Sequence, residues 1–133
     1  MKKSISILSK LENICHVEKL VDEISEGCNL SSDLYGKVLI ATIEAVNNSI
    51  VHGNKFDDTK SVDVSVQIND SSIHIYVKDQ GEGFNYESVP DPTKPENIEN
   101  ISGRGVFLMR NLADTINFYN NGSQVELIFN LSK

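Results

Sequence analysis

Two pairs of alternating apolar and polar runs constrain this chain more than any other feature. Val62-Asp-Val-Ser-Val-Gln-Ile68 and Ile73-His-Ile-Tyr-Val77 are joined by Asn69-Asp-Ser-Ser72; Thr115-Ile-Asn-Phe-Tyr119 and Val125-Glu-Leu-Ile-Phe129 are joined by Asn120-Asn-Gly-Ser123. Successive residues of a strand point to opposite faces, so alternation of period two marks a strand with one dry side. A short polar turn between two such runs makes each pair a hairpin. The sheet they build is antiparallel, and its apolar side needs a cover.

Helices supply that cover. From Leu11 to about Cys28 the apolar residues Leu11, Ile14, Cys15, Val17, Leu20, Val21 and Ile24 recur near helical spacing, with Gly27 and Asn29 as the stop. A second helix starts at Ser31 or Ser32, with Asp33 favourable in its first turn, and runs to about His52, where Gly53 and Asn54 end it. Leu34, Val38, Leu39, Ile40, Ile43, Val46, Ile50 and Val51 make it apolar on most of its circumference, the mark of a helix buried on several sides. A third helix covers Val106 to Ala113, and Ser4 to Leu11 alternates as a short first strand suited to a sheet edge. The predicted order is β-α-α-β-β-loop-α-β-β. It reads as an α+β two-layer sandwich, about three helices on one face of a mostly antiparallel mixed sheet.

At 133 residues the chain makes one domain, residues 1–133, large enough for a proper core. Twelve basic against 19 acidic residues, net −7, argue against nucleic acid as a direct partner, because phosphate backbones are held by clustered Lys and Arg. No run of about 20 apolar residues suits a membrane span and no signal-peptide pattern opens the chain, so a cytoplasmic protein is expected. Cys15 and Cys28 read as reduced, buried thiols.

Three separated pieces carry candidate chemistry. Glu44 and Asn48, four apart near the end of the second helix, face one side and can reach a common ion or reacting group. Asp79-x-Gly81-x-Gly83-Phe84 follows a strand, where a Gly-x-Gly is either a turn or a loop that lets backbone approach a ligand. Gly103-Arg104-Gly105 leads into the third helix and offers backbone N–H groups to an anion. Between the last two lies Asn85–Ser102, a long irregular stretch holding all three prolines and suited to a lid. The dinucleotide turn and the P-loop are both excluded: the third glycine is missing after Gly83, and Gly36-Lys37 is followed by valine.

In this order the three pieces resemble the N box and two glycine boxes of the ATPase superfamily shared by gyrase, heat-shock chaperones, histidine kinases and mismatch-repair proteins. Within it the chain is most similar to the anti-sigma factor serine/threonine kinases, over nearly its whole length. The resemblance implies the histidine-kinase-like ATPase fold, with ATP and Mg²⁺ as cofactors. It assigns Asn48 to the metal, Glu44 to the acceptor hydroxyl as catalytic base and Asp79 to the adenine amino group. Gly81 and Gly83 would shape the base side, Gly103, Arg104 and Gly105 the phosphate side, and Ser123 would help hold the adenine through Asp79 or water.

Arg104 is either a surface arginine near a helix start or a direct phosphate contact, through its backbone more than its side chain, and His52 is either near the metal or a packed or capping residue. Val51 stands where histidine kinases of the superfamily often carry a phosphate-contacting lysine, which turns the reading away from them. The implied function is phosphorylation of an anti-anti-sigma (STAS-type) protein with alternate sequestration of a sigma factor, and a homodimer is possible. The alternative is a nucleotide-switched binding module of the same fold without kinase activity.

Overall fold

The computed structural model describes residues 2–81 and 101–131, with residues 101–105 described by backbone alone. Five strands, β1 (Lys2–Leu8), β2 (Ser61–Ile68), β3 (Ser72–Lys78), β4 (Thr115–Tyr119) and β5 (Gln124–Asn130), form one sheet in the order β1-β2-β3-β5-β4. All four pairings are antiparallel, so the described sheet is not mixed. Both expected hairpins are present. Their junction, β3 against β5, is a long-range pairing that places Val77 opposite Val125 and Ile73 opposite Phe129.

Register follows the alternation. Ile5, Val64, Val77, Val125 and Phe118 form one cross-strand row on the inner face, and Val66, Ile75, Leu127 and Ile116 the next. A slip of one residue would turn these rows to solvent. Three helices cover the inner face: α1 (Ile14–Cys28) against β1, α2 (Ser32–Asn48) against β3 and β5, and α3 (Ile101–Leu112) against β4. α2 lies between the other two. Its position explains its composition, since Val38, Ala41, Ala45 and Val46 are buried while Ile40 stays 47 % exposed on the outward side.

Several boundaries differ from those expected. β1 runs from Lys2 to Leu8 rather than from Ser4 to Leu11, because both the amide and the hydroxyl of Ser9 are drawn to the Lys60 carbonyl (3.1 and 2.8 Å). The chain then turns through a 3₁₀ segment, Leu11–Asn13, before α1 begins. α2 is capped by the Ser31 hydroxyl, which accepts from the Leu34 amide, and its α geometry stops at Asn48 rather than continuing to His52. Ser49–Gly53 is a π turn closed by the Asn54 amide on the Ser49 carbonyl (2.7 Å).

α3 starts at Ile101, so Gly103, Arg104 and Gly105 lie within the helix instead of ahead of it. Glycine costs only about 1 kcal/mol in a helix interior, less than burial of Val106 and Met109 contributes. Residues 85–100 of the expected lid, with Gly83 and Phe84, lie outside the described residues. Both cysteines are free thiols as expected, but Cys15 is exposed and Cys28 half-buried, not buried.

The outer face of the sheet is largely polar and holds a buried charge. Glu126 is only 7 % exposed there. Its Oε1 accepts from Tyr119 (2.8 Å) and Asn117 (3.1 Å), and its Oε2 lies 3.0 Å from Nδ1 of His74, whose Nε2 meets the Ser72 hydroxyl at 2.9 Å. Burial alone would raise the carboxyl pKa, but hydrogen bonds from His74, Tyr119, Tyr76 and Asn117 outweigh it and bring the value from 4.5 to about 2.

A depressed folded-state pKa stabilises the fold above the unfolded value and is lost as pH falls through the folded one. We therefore expect stability to decline between pH 4.5 and about 2 by a contribution on the order of 3 kcal/mol. Urea unfolding of wild type and Glu126→Gln across that range checks this. The difference between the two profiles should shrink as pH falls; profiles that stay parallel would refute the assignment.

Candidate functional site

Where the π turn leaves α2, a narrow cleft opens between α2, α3 and the β3–β5 end of the sheet. Its apolar walls are Ala45, Val77, Met109, Phe118 and Val125; its polar groups are Asn48, Ser49 and Asp79, with Gly53 and Gly122 completing the lining. An apolar pocket with a few convergent polar groups is the form of a small-molecule site.

Asn48 is the telling member. It is only 7 % exposed, yet neither its Oδ1 nor its Nδ2 has a hydrogen-bond partner among the described residues. A buried amide left unpaired costs about 1–3 kcal/mol, and native chains rarely keep such a group without a use for it. Glu44 sits one turn earlier on α2, half-buried, and is not part of the cleft lining.

Asp79 is held by four residues: Ser123 before β5, Gly81 in its own loop, and Ser49 and Gly53 of the π turn. Its amide donates to the Ser123 carbonyl (2.9 Å), its Oδ1 accepts from the Gly81 amide (2.8 Å), and the Ser49 hydroxyl bonds its carboxylate. The carboxylate also rests on Gly53, where a Cβ would come within 2.2 Å of Oδ2. Burial raises the Asp79 pKa, and the bonds from Gly81 and Ser49, with the charge of Lys60, oppose that rise. A carboxylate so placed offers fixed acceptor oxygens at the cleft wall.

Gly81 is needed for space. A Cβ there would stand 2.0 Å from the Gly53 carbonyl oxygen. Ser123 is buried and its hydroxyl donates to the Asn120 carbonyl (3.0 Å), so its link to Asp79 runs through its backbone. The turn before it needs three successive left-handed residues, Asn120, Asn121 and Gly122 (φ 54, 59 and 92°), and asparagine and glycine are the types that tolerate this. His52 lies on the π turn with its Nε2 buried and without a partner among the described residues, and burial lowers its pKa.

The structure thus brings Asn48, Asp79, Gly81 and Ser123 to one end of the fold, with Glu44 a turn away. Gly83 lies outside the described residues, and Gly103, Arg104 and Gly105 are placed by backbone alone. Sequence reasoning took Gly53 and Asn54 for a helix stop and singled out no role for Ser49. All three contact the Asp79 loop, and only the fold reveals it.

Residues 7–129 match the family model described as the histidine kinase-like ATPase domain. An anti-sigma F factor from Anoxybacillus flavithermus is 41 % identical over 97 residues, 68 % of this chain and 65 % of that one. An anti-sigma F factor from Geobacillus thermodenitrificans is 31 % identical over 127 residues, 90 % of this chain and 78 % of the relative. A serine-protein kinase, RsbW, from Staphylococcus epidermidis is 33 % identical over 102 residues, covering 71 % and 64 %. The matched stretch spans just under two thirds of the Anoxybacillus and Staphylococcus proteins.

Proposed function

Because the chain belongs to the family of histidine kinase-like ATPase domains, we propose that it is a single-domain, ATP-binding serine/threonine protein kinase of the anti-sigma type. It would phosphorylate an anti-anti-sigma (STAS-type) protein and, in alternation, sequester a sigma factor. The names of its relatives support this reading. The observation that carries it is the buried, unpartnered Asn48 amide sharing a cleft with Asp79. A homodimer and a cytoplasmic setting go with the proposal. Among the described residues no helix is long and apolar enough to cross a membrane.

Asn48 suits a magnesium ligand. Its Oδ1 is a hard oxygen that is buried without a partner among the described residues. Asn48 would be the side chain that holds Mg²⁺, a hard ion that takes oxygen ligands and usually binds together with substrate phosphates. When bound, such an ion neutralises phosphate charge in phosphoryl transfer.

The protein's own groups do the rest. Asp79 accepts from the adenine amino group, the apolar walls take the base, and the start of α3 presents backbone N–H groups toward phosphate. Glu44, one turn from Asn48, takes the proton of the acceptor hydroxyl. Catalysis is mostly positioning.

Incubation with γ-labelled ATP and small STAS-type partners tests this. Label should appear on a Ser or Thr of the partner and fall by roughly a hundredfold in Glu44→Gln, within the 10²–10⁴ range of general-base catalysis, while ATP affinity changes little. The second reading, a nucleotide-switched module without transfer, is favoured by the place of Glu44 outside the cleft lining. Nucleotide-dependent partner binding with no label on the partner would select it.

A further inference from the structure

The loop that carries Asp79 is anchored at three consecutive amides. Asp79 N–H donates to the Ser123 carbonyl at 2.9 Å, Gln80 N–H to Asn54 Oδ1 at 2.8 Å and Gly81 N–H to Asp79 Oδ1 at 2.8 Å. The first bond runs to the β4–β5 turn and the last is internal. Of these three bonds the middle one runs to the end of α2, through a side chain; the Ser49 hydroxyl reaches the Asp79 carboxylate from the same turn, and Gln80 Oε1 accepts from the Ser61 amide at 2.6 Å.

That side chain is fully engaged. Asn54 is 2 % exposed, and its Nδ2 donates to the Ser9 hydroxyl (2.8 Å) and the Ser61 carbonyl (2.9 Å). The amide can take one orientation only. Flipped, it would set its NH₂ against the Gln80 N–H and its oxygen against the Ser61 carbonyl, losing both of those bonds. Its backbone is committed as well, closing the π turn on the Ser49 carbonyl (2.7 Å) and accepting from the Asp57 amide (3.0 Å). One residue therefore joins the ends of β1, α2 and β2 to the residue following Asp79.

Gly53, immediately before Asn54, is the surface on which the Asp79 carboxylate lies. The Gln80 amide is the next residue along from that carboxylate, so releasing it from Asn54 would leave the Asp79 side chain to its bonds with Ser49 and Gly81 alone. We infer that Asn54 is a positioning residue for base recognition: it holds the loop so that the Asp79 oxygens meet an amino-bearing purine and repel one with a carbonyl at that place. This rests on the nucleotide-site reading above. A carboxylate that can shift accepts water or turns aside, and the penalty on the wrong base, an unpaired buried acceptor, disappears.

The experiment measures dissociation constants for Mg-ATP and Mg-GTP by calorimetry on the full chain, together with melting temperatures. In Asn54→Ala the preference for ATP over GTP should narrow by at least about tenfold, the scale of one hydrogen bond to a charged group. Ser9→Ala weakens the same cluster without touching the Gln80 bond. It should lower the melting temperature and keep the wild-type preference, a separation that a merely structural role for Asn54 would not produce.

A folded Asn54→Ala protein with the wild-type preference overturns the inference. If Asn54→Ala does not fold, Gln80→Pro removes the same bond from the exposed side, and an unaltered preference there overturns it equally. Asp79→Asn separates the two levels: unchanged ATP affinity in that variant overturns the nucleotide reading itself, and this inference with it.

Discussion

Replacing Asn48 with alanine should cost roughly a hundredfold in Mg-ATP affinity, about 2.7 kcal/mol, while the unliganded protein melts no lower than wild type. The two readouts are expected to move apart because of what the side chain is doing. Its oxygen and nitrogen are buried without partners among the described residues, so in the empty protein the group is a liability of about 1–3 kcal/mol. Truncation removes that liability and leaves a void whose cost is of similar size or smaller.

On the proposed assignment ligand binding would reverse the balance, since a bound ion and nucleotide would give the amide its partners. A binding group that destabilises the empty fold is a familiar trade between stability and function. Calorimetry and thermal melts on the same samples decide the matter. Wild-type affinity in Asn48→Ala would remove the metal–nucleotide assignment, and a drop of several degrees in the apo melting temperature would show the amide to be structural.

Gly81→Ala should be the most damaging small substitution in the described chain. The added Cβ would lie 2.0 Å from the Gly53 carbonyl oxygen and 2.6 Å from its carbon, both backbone atoms that no rotamer change can relieve. Either the π turn or the Asp79 loop must move, at a cost of about 3 kcal/mol, the upper end of the usual range for overpacking. Both movements disturb the seat of the Asp79 carboxylate, so ATP binding should fail as well.

Gly53→Ala makes the informative contrast. There the Cβ meets the carboxylate of Asp79 at 2.2 Å, and a side chain can swing aside where backbone cannot. Base recognition should be lost with a smaller stability penalty. Urea unfolding and ATP titration of the two variants test the pair. A Gly81→Ala protein within 1 kcal/mol of wild type would mean that the close approach of the two turns is not a requirement of the fold.

Period-two and helical patterning determined much of this protein from sequence alone. Val62–Ile68 and Ile73–Val77, and the pair after Thr115, could form only hairpins with one buried face, because alternation and turn chemistry are local properties. The placing of Glu44 and Asn48 one turn apart on a buried helix was equally local. Their resemblance to an N box, ahead of two glycine boxes, pointed to an ATPase domain, which the family match shows.

Tertiary structure decided the remainder. The junction of β3 with β5 is a contact between distant segments, and no local pattern distinguishes it from other hairpin orders. The change from α to π geometry at Ser49 depends on the Asn54 amide reaching the Ser49 carbonyl, and Asn54 is fixed by Ser9 and Ser61, which lie elsewhere in the sequence. Gly53 and Gly81 carry no side chain to announce themselves. The meaning of a missing Cβ lies in the atom that would strike it, and that atom comes from the other turn. Local sequence specifies which face each residue shows, while the long-range packing of turns against one another specifies what that face meets.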